Sequence, residues 1–502
     1  MSLIKPKWLH VSFVILFLFF FFFVFFNYAN EKPRGIHQWA QADRLAIAER
    51  FIEGRSVVDP ATLSIKSEDG KVGVEFSGYQ YLIAQIVRLG YPHKYLPFLY
   101  RFLTYTLFFC SLFVLVFNIL KEESILFKSL VFIGLFSSPI LLYYSYNFLP
   151  DILALTLLLW CFYLMHNNFE KHFIPILLIS GLSLFIKTSS GIYFISFFAI
   201  FFLKHVRKPN RKLLISGLLF ALIGAGVAYY DYFLVNQRNA KLYSYVFLSG
   251  TRPAQNWSEF VEIFTTAKRF LKEYLNTSQW LVIGLLLIYQ LIRTKQFRIT
   301  NKHLQLSFFV ALGLLSIIIL FGIQYKDHDY YVLGTFMPIL LFFTLKSIAQ
   351  VAEYIHPRTA VIIASLFAVV SFTQGSNRYF NRMSENVLIN GHGEPYKREW
   401  LIDADKKIAP YVPKNELVYV IYVPEPNFSL IYFARNGATF NAEEMARDNS
   451  PFNWFQDLQD AKYVVCPATK LEQYHQDQEE FISNSTILFS DNYFTLYKVN
   501  GY

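Results

Sequence analysis

Residues 8–28 read WLHVSFVILFLFFFFFVFFNY, an apolar run that follows Lys5 and Lys7. A helix that crosses the hydrocarbon core of a bilayer needs about 20 such residues. The apolar core of a secretory signal peptide is shorter and is followed by a small-residue cleavage site, and no A-x-A pattern follows here. The stretch therefore predicts an uncleaved first membrane span.

Ten further apolar runs follow this one along the chain. They cover 95–118, 125–145, 149–165, 172–186, 189–203, 212–232, 278–292, 306–323, 330–348 and 358–374. Composition agrees with them, since 54% of the 502 residues are hydrophobic and only 16% are charged, against about 25% in ordinary soluble proteins. This composition excludes a disordered chain and argues against an ordinary soluble enzyme. We predict a polytopic α-helical membrane protein with about eleven transmembrane helices.

The basic residues predict the orientation. Cytoplasmic loops carry an excess of Lys and Arg, and two short loops, 204–212 (KHVRKPNRK) and 293–302 (RTKQFRITNK), are strongly basic. With these loops inside, the long loops 29–94 and 233–277 and the C-terminal part of the chain lie outside. The inner loops explain much of the net charge of +10, so no nucleic-acid partner is needed.

Composition changes sharply after residue 375. Residues 376–502 contain β-rich runs at 417–423, 462–466, 485–489 and 493–499, with helical patterns near 427–434, 451–460 and 471–482 between them. This alternation predicts a small extracytoplasmic α/β domain after a transmembrane domain at 1–375. In the first outer loop, residues 40–53 predict a short helix on the membrane surface that ends at Gly54.

Polar residues in or beside apolar runs need an explanation, because ionisable groups at membrane depth are costly. In the predicted topology these residues all fall on the outer face. They are His37, Gln38, Trp39, Gln41, Asp43, Glu75, Asn147, Asp151, Lys187, His328, Asp329 and Tyr330. Taken singly, each has an ordinary reading. Asp43 and Asp151 could cap helices, Lys187 could extend to the interface, and 327–329 could be a solvated turn.

Taken together, these residues suit glycosyl transfer from a lipid-phosphate sugar. A carboxylate must take the proton of the attacking acceptor, and Asp43 is our candidate. Cationic groups must hold the departing phosphate, and Arg44, Arg101, Lys187 and His328 are candidates. The many Phe and Leu residues suit an isoprenoid chain.

Several motifs occur in a recognisable order: HQWAQAD at 37–43, VEFSGYQYL at 74–82, YYSYNFLPD at 143–151, FIKTSSG at 185–191 and QYKDHDYY at 324–331. This order resembles the GT-C superfamily of membrane glycosyltransferases, in particular family 39-like enzymes such as the protein mannosyltransferases and the lipid A aminoarabinose transferase. The sequence departs from the family pattern in two places. It has Ser77 where Glu-Phe is often followed by Pro, and Asn147 where a basic residue is common.

The resemblance implies an inverting transfer from a polyprenyl-phosphate sugar to a lipid, glycan or protein acceptor at the outer face of a bacterial inner membrane. It implies Asp43 as general base, Glu75 as a second acidic residue of the catalytic site and Lys187 as a contact of the donor phosphate. It places residues 328–331 in the family's motif before a late span. We expect the substrates to be contacted by His37, Gln38, Trp39, Gln41, Asn147, Asp151, Asp329 and Tyr330. The resemblance implies no cofactor and no resident metal, although distant oligosaccharyltransferases use a divalent cation.

Two other functions remain open at this point. One is a lipid-linked-glycan flippase or transporter, which predicts ionisable groups near mid-span and repeated halves. The other is an enzyme like the O-antigen ligases or polymerases, which would centre on a late external loop. A scaffold without catalytic activity is a third reading.

Overall fold

The structure, a computed structural model, describes residues 6–66, 68–238, 252–292, 301–384, 399–423, 425–441, 462–471 and 485–500. Three features predicted from the sequence lie largely outside these residues. They are the helices near 451–460 and 471–482 and most of the basic loop 293–302.

Every predicted span overlaps a helix. The first helix, Pro6–Phe20, continues as a π-helical turn at Phe21–Phe25 and a 3-10 turn at Phe26–Tyr28. The α-helices that follow in the region of the predicted spans are Leu96–Ile119, Ile125–Phe136, Pro139–Tyr144, Asp151–Asn168, Phe173–Ile186, Gly191–His205, Arg211–Ala228, Trp257–Ala267, Leu271–Tyr274, Thr277–Ile292, Asn301–Asp327, Tyr331–Gly334, Met337–Ala352 and Pro357–Met383. The predicted interruption at Lys187 is confirmed, since this residue is extended between two helices.

Within the described residues, five helical segments are long and apolar enough to cross a membrane. They are Trp8–Tyr28, His93–Ile119, Arg211–Arg238, His303–Lys326 and Pro357–Met383. Four shorter apolar helices lie between them in sequence. The figure of eleven crossings stays a prediction.

Contacts divide the chain into two units. The helical unit consists of Met1–Ala29, Tyr100–Asp231 and Leu248–Arg382, and the loop–sheet unit consists of Asn30–Leu99, Tyr232–Phe247 and Met383–Tyr502. The first predicted outer loop therefore belongs with the C-terminal part of the chain. The predicted domain boundary near 375 stays a prediction.

Aromatic rings fill the core of the helical unit, which explains part of the high Phe content. Phe13 of the first helix meets Phe109 and Phe113 edge-on, with ring centroids 5.4 and 5.1 Å apart. Phe173 and Phe201 stack with centroids 3.8 Å apart. Such pairs add about 0.5–1.5 kcal/mol each to the burial of their surface.

Among its described residues, the loop–sheet unit contains a mixed five-stranded sheet and four α-helices. Its strands are β1 (Val418–Ile421), β2 (Gly437–Phe440), β3 (Tyr463–Pro467), β4 (Ser485–Ser490) and β5 (Phe494–Val499), in the order β2-β1-β3-β5-β4. Strand β1 is parallel to β2 and β3, whereas β5 is antiparallel to β3 and β4. The helices are Gln38–Ile52, Gly78–Arg88, Ala404–Ile408 and Phe428–Phe433.

The four β-rich runs of the sequence correspond to β1, β3, β4 and β5. Strand β2 was not predicted, because GATF is short and begins with glycine. That glycine is required by a close backbone approach, since a Cβ on Gly437 would lie 1.8 Å from the carbonyl oxygen of Val418.

The helix Gln38–Ile52 confirms the predicted helix but not its setting. It packs against Gly78–Arg88 and Phe428–Phe433, and twelve of its fifteen residues are buried. The helix is therefore covered by protein on most of its sides, and its place at the membrane surface stays a prediction. The predicted end is confirmed, because Gly54 has φ +101° and donates its N–H to Phe51 O at 3.1 Å. Burial on nearly every side makes this helix the frame for the carboxylate that it carries.

Candidate functional site

Asp43 lies in the second turn of the helix Gln38–Ile52 and is only 2% exposed. Its Oδ1 accepts a hydrogen bond from Asn427 Nδ2 at 2.8 Å. Its Oδ2 is buried and has no hydrogen-bond partner among the described residues. Burial raises the pKa of Asp43 to about 7, although Asn427 and the charge of Arg44 act in the opposite direction. A carboxylate with a pKa near neutrality and one free oxygen is suited to proton abstraction.

Arg44 follows Asp43 in the sequence and forms a buried ion pair with Glu75. Arg44 Nη2 lies 2.6 Å from Glu75 Oε2, and both side chains are less than a tenth exposed. Ser77 Oγ donates to the backbone oxygen of Glu75 at 3.1 Å, which holds the turn that carries the acid. The structure thus brings together two residues that the sequence predicted in separate roles, one for phosphate and one for acid chemistry.

The motif before Asp43 shapes the start of its helix. His37 has φ +55° in the left-handed region, a conformation that costs a non-glycine residue energy and often occurs at functional sites. Gln41 Nε2 donates to Arg34 O at 3.1 Å and to Ile36 O at 3.0 Å, so this side chain braces the loop that enters the helix. His37 and Gln38 are buried, and Trp39 is half-buried.

A second group of predicted residues lies in the helical unit. Lys187 Nζ is 3.4 Å from Asp151 Oδ1, and both side chains are buried. The ammonium also lies 4.5 Å from the ring centroid of Tyr331 and 5.7 Å from that of Tyr330. The extended backbone at Lys187 and the helix that begins at Asp151 place these groups. Lys187 is therefore held inside the unit, and the alternative that it simply extends to the interface does not apply.

Asp329 has a structural partner that the sequence did not reveal. Arg382 Nη2 lies 2.5 Å from Asp329 Oδ2, and Tyr144 donates its hydroxyl to Asp329 Oδ1 at 2.7 Å. Arg382 Nη1 also reaches Glu273 Oε2 at 3.0 Å. The apolar pattern ends near residue 374, but the helix continues to Met383 and carries Arg382 into the core. This network fixes the loop that precedes Tyr330.

Contacts with aromatic rings or backbone groups of the helical unit are made by Arg101, Asn147 and His328. The Arg101 guanidinium lies 4.4 Å from the ring of Phe148 and 5.0 Å from that of Tyr146, and Asn147 Oδ1 accepts from Phe148 N at 2.6 Å. Arg101 and Asn147 thus hold the turn at 146–148. His328 Nδ1 lies 3.2 Å from the backbone oxygen of Gln324, within its own helical turn. Their predicted roles in substrate binding stay predictions.

Metal ligation is the alternative use of these carboxylates. Over the part of the chain that the structure describes, no three His, Cys, Asp or Glu side chains come together in a way that could hold a metal ion.

No protein-family model and no curated protein matches the sequence. Solved structures do match. The chain is similar to ArnT from Cupriavidus metallidurans bound to undecaprenyl phosphate, with 10% identity, a TM-score of 0.61 and coverage of 98% of each chain. It is also similar to the oligosaccharyltransferase AglB from Archaeoglobus fulgidus in complex with an inhibitory peptide and a dolichol-phosphate, with 11% identity, a TM-score of 0.53 and coverage of 95% of this chain and 71% of that one.

The arabinofuranosyltransferase AftD from Mycobacteria is a third similar structure, with 12% identity, a TM-score of 0.53 and coverage of 100% of this chain and 42% of that one. All three are GT-C glycosyltransferases. The chain has the GT-C fold. The resemblance that the motifs predicted is confirmed at the level of the fold, and the apolar helices together with the GT-C architecture make the chain a membrane protein.

The buried carboxyl predicts an unusual pH dependence of stability. Asp43 has a folded-state pKa of about 7 and an unfolded pKa near 3.8, so the folded GT-C chain binds more protons between these values. Stability therefore falls as pH rises through this window and then levels off. The change Asp43→Asn removes this pH-dependent loss of stability, which reaches about 4 kcal/mol in the wild-type protein. Melting curves in detergent should show the variant gaining stability over wild type between pH 5 and pH 8.

The matched control is Asp59→Asn, because Asp59 lies in the same stretch of chain but is partly exposed. Its melting temperature relative to wild type should stay constant across this range. A constant difference for Asp43→Asn would show that Asp43 is already ionised at pH 5.

Proposed function

We propose that this protein is a membrane glycosyltransferase that moves a sugar from a polyprenyl-phosphate donor to a lipid, glycan or protein acceptor with inversion at the anomeric carbon. The observation that carries the proposal is the buried Oδ2 of Asp43, on a chain with the GT-C fold. The structural neighbours support a lipid-phosphate donor, since ArnT is bound to undecaprenyl phosphate and AglB to a dolichol-phosphate.

Asp43 acts as the general base in this proposal. Its Oδ2 accepts the proton of the acceptor's hydroxyl or amine as the acceptor heteroatom forms a bond to the anomeric carbon. The bond from that carbon to the phosphate oxygen breaks, and the polyprenyl phosphate leaves with the electron pair. One displacement inverts the anomeric centre. A base with a pKa near 7 is about half ionised at neutral pH, and its affinity for the proton is high enough to assist proton transfer.

Lys187 contributes positive charge to the donor phosphate. A buried ammonium interacts strongly with a phosphate because the surroundings screen the charge weakly. Asp151 and the rings of Tyr330 and Tyr331 hold the ammonium in place before the donor arrives. Holding the group in advance reduces the reorganisation that phosphate departure requires.

Glu75 supports the base indirectly in this scheme. Its ion pair fixes Arg44, whose charge lowers the pKa of Asp43 against the effect of burial. That pair helps to hold the charge of Arg44 beside the carboxylate. We therefore assign Glu75 a positioning role, and Arg44 an electrostatic one on Asp43.

We also propose the orientation that the basic loops indicate. The chain crosses the inner membrane of a bacterium about eleven times. The loops 29–94 and 233–277 and the C-terminal domain 376–502 then lie on the outer side. Lys and Arg are concentrated in the short loops assigned to the cytoplasm, which supports this arrangement.

Removal of the base tests the proposal most simply. In proteoliposomes supplied with a polyprenyl-phosphate sugar, Asp43→Asn should lower the rate of sugar transfer by at least about a hundredfold, because general-base catalysis contributes 10²–10⁴-fold. The control Asp59→Asn should keep the wild-type rate. Transfer by Asp43→Asn at the control's rate would refute the assignment, and translocation of the intact lipid-linked sugar without transfer would favour a flippase.

The donor-phosphate role predicts a selective kinetic change. Lys187→Met should raise the KM for the donor about tenfold or more and leave the KM for the acceptor nearly unchanged, whereas Lys187→Arg should recover part of the loss. Lys204→Met is the matched control, because Lys204 is an exposed residue paired with Glu170. Equal effects of Lys187→Met on both substrates would indicate that Lys187 only neutralises Asp151.

A further inference from the structure

The C-terminal part of the chain holds the stretch that carries Asp43. We call residues 427–437 the clamp segment. It is bonded to backbone groups of the first predicted outer loop at its middle and at its C-terminal end. The bonds are Tyr432 Oη to Pro33 O at 2.8 Å, Gly437 N to Leu63 O at 3.0 Å and Ile65 N to Gly437 O at 2.8 Å.

Asn427 begins this segment and is the one member that bonds to the candidate base itself. Ser64 donates its backbone N–H to Asn427 Oδ1 at 3.0 Å. The amide oxygen is therefore fixed on Ser64, and the amide nitrogen must point the other way, towards Asp43 Oδ1. The side chain is 2% exposed, so both bonds are shielded from water. Asn427 has one orientation that satisfies both partners.

This geometry has a consequence for Asp43. A carboxylate with neither oxygen bonded could rotate about its Cβ–Cγ bond. The bond from Asn427 occupies Oδ1 and stops that rotation, so Oδ2 keeps a constant direction. Lone pairs in a constant direction reduce the entropy lost when the proton is transferred.

We propose that Asn427 is a positioning residue for the catalytic base, supplied by the C-terminal part of the chain. It orients the Asp43 carboxylate and stabilises its ionised form. The inference rests on the proposed function of Asp43, and it assigns the clamp segment a role in catalysis in addition to its role in the sheet.

The electrostatic setting favours this assignment. Burial has the largest influence on the pKa of Asp43 and raises it. Two interactions lower this pKa, and the hydrogen bond from Asn427 is the larger of the two. Arg44 is the other, and it is paired with Glu75. Glu425 lies two residues before Asn427 and is also buried. Loss of the amide donor should therefore make ionisation of Asp43 harder.

The experiment measures how kcat for sugar transfer depends on pH, in proteoliposomes with a polyprenyl-phosphate sugar as donor. In Asn427→Leu, which is close in size but has no donor, the rising limb should move up by about one pH unit from the wild-type midpoint near 7, since a hydrogen bond to a charged group has about this strength. Ionisation alone then lowers kcat at pH 7 about fivefold.

Tyr432→Phe is the matched control. It removes the bond to Pro33 and keeps the ring, so it weakens the clamp segment without touching Asp43. We expect a lower melting temperature and an unchanged pH midpoint. In contrast, a structural role for Asn427 would give Asn427→Leu the same pattern, and this result would overturn the proposal.

A second variant covers the case in which Asn427→Leu does not fold. Asn427→Asp keeps the size and places a second carboxyl against Asp43, so the two would share a proton and the midpoint should rise further. An unmoved midpoint in that variant would also overturn the proposal. Failure of the underlying function looks different, because Asp43→Asn would then remain active.

Discussion

The hydrogen bond between Asn427 and Asp43 joins residues that are 384 positions apart in sequence. A carboxylate buried without a partner is costly to ionise, and the surrounding structure has to make ionisation possible. One oxygen is satisfied by Asn427, and a nearby guanidinium lowers the pKa that burial raises. The other oxygen has no hydrogen-bond partner among the described residues, and we propose that it takes the proton of the acceptor. This one carboxylate is framed by the helix Gln38–Ile52, the clamp segment and the mixed sheet. Together they bury it, fix its orientation and keep its pKa near 7.

The helical unit handles its charges by pairing them. Lys187 is paired with Asp151, and Arg382 is paired with Asp329 and Glu273. Removal of one partner from such a buried pair typically destabilises a protein by about 3–5 kcal/mol, because the remaining charge is left uncompensated. These ion pairs therefore contribute to the stability of the helical unit, in addition to any role that we propose for their members in sugar transfer. The contrast with Asp43 is informative, since Asp43 has a neutral hydrogen-bond donor as its direct partner and keeps one oxygen unbonded among the described residues.

The sequence predicted the parts of this architecture that depend on local pattern. Apolar runs of membrane length located the helices, and β-rich runs located β1, β3, β4 and β5, because burial imposes a period that is visible along the chain. Asp43 and Lys187 could be named as candidate site residues because charged residues beside apolar runs are easy to recognise in the sequence. Asn427 and Arg382 could not, since their importance comes from partners far away in sequence. Strand β2 gives too short a signal, and the burial of Gln38–Ile52 depends on the two helices packed against it.

In our proposal, Asp43 is a buried carboxyl that titrates near neutrality and serves as the base. Infrared difference spectra of the wild-type protein minus Asp43→Asn, recorded from pH 4 to pH 9, isolate the carboxyl stretch of this one residue. We expect the band of the protonated acid to disappear with a midpoint of about 7, and the pH dependence of sugar transfer to have the same midpoint. A carboxyl that is already ionised at pH 5, or a transfer rate that follows a different ionisation, would contradict the proposal.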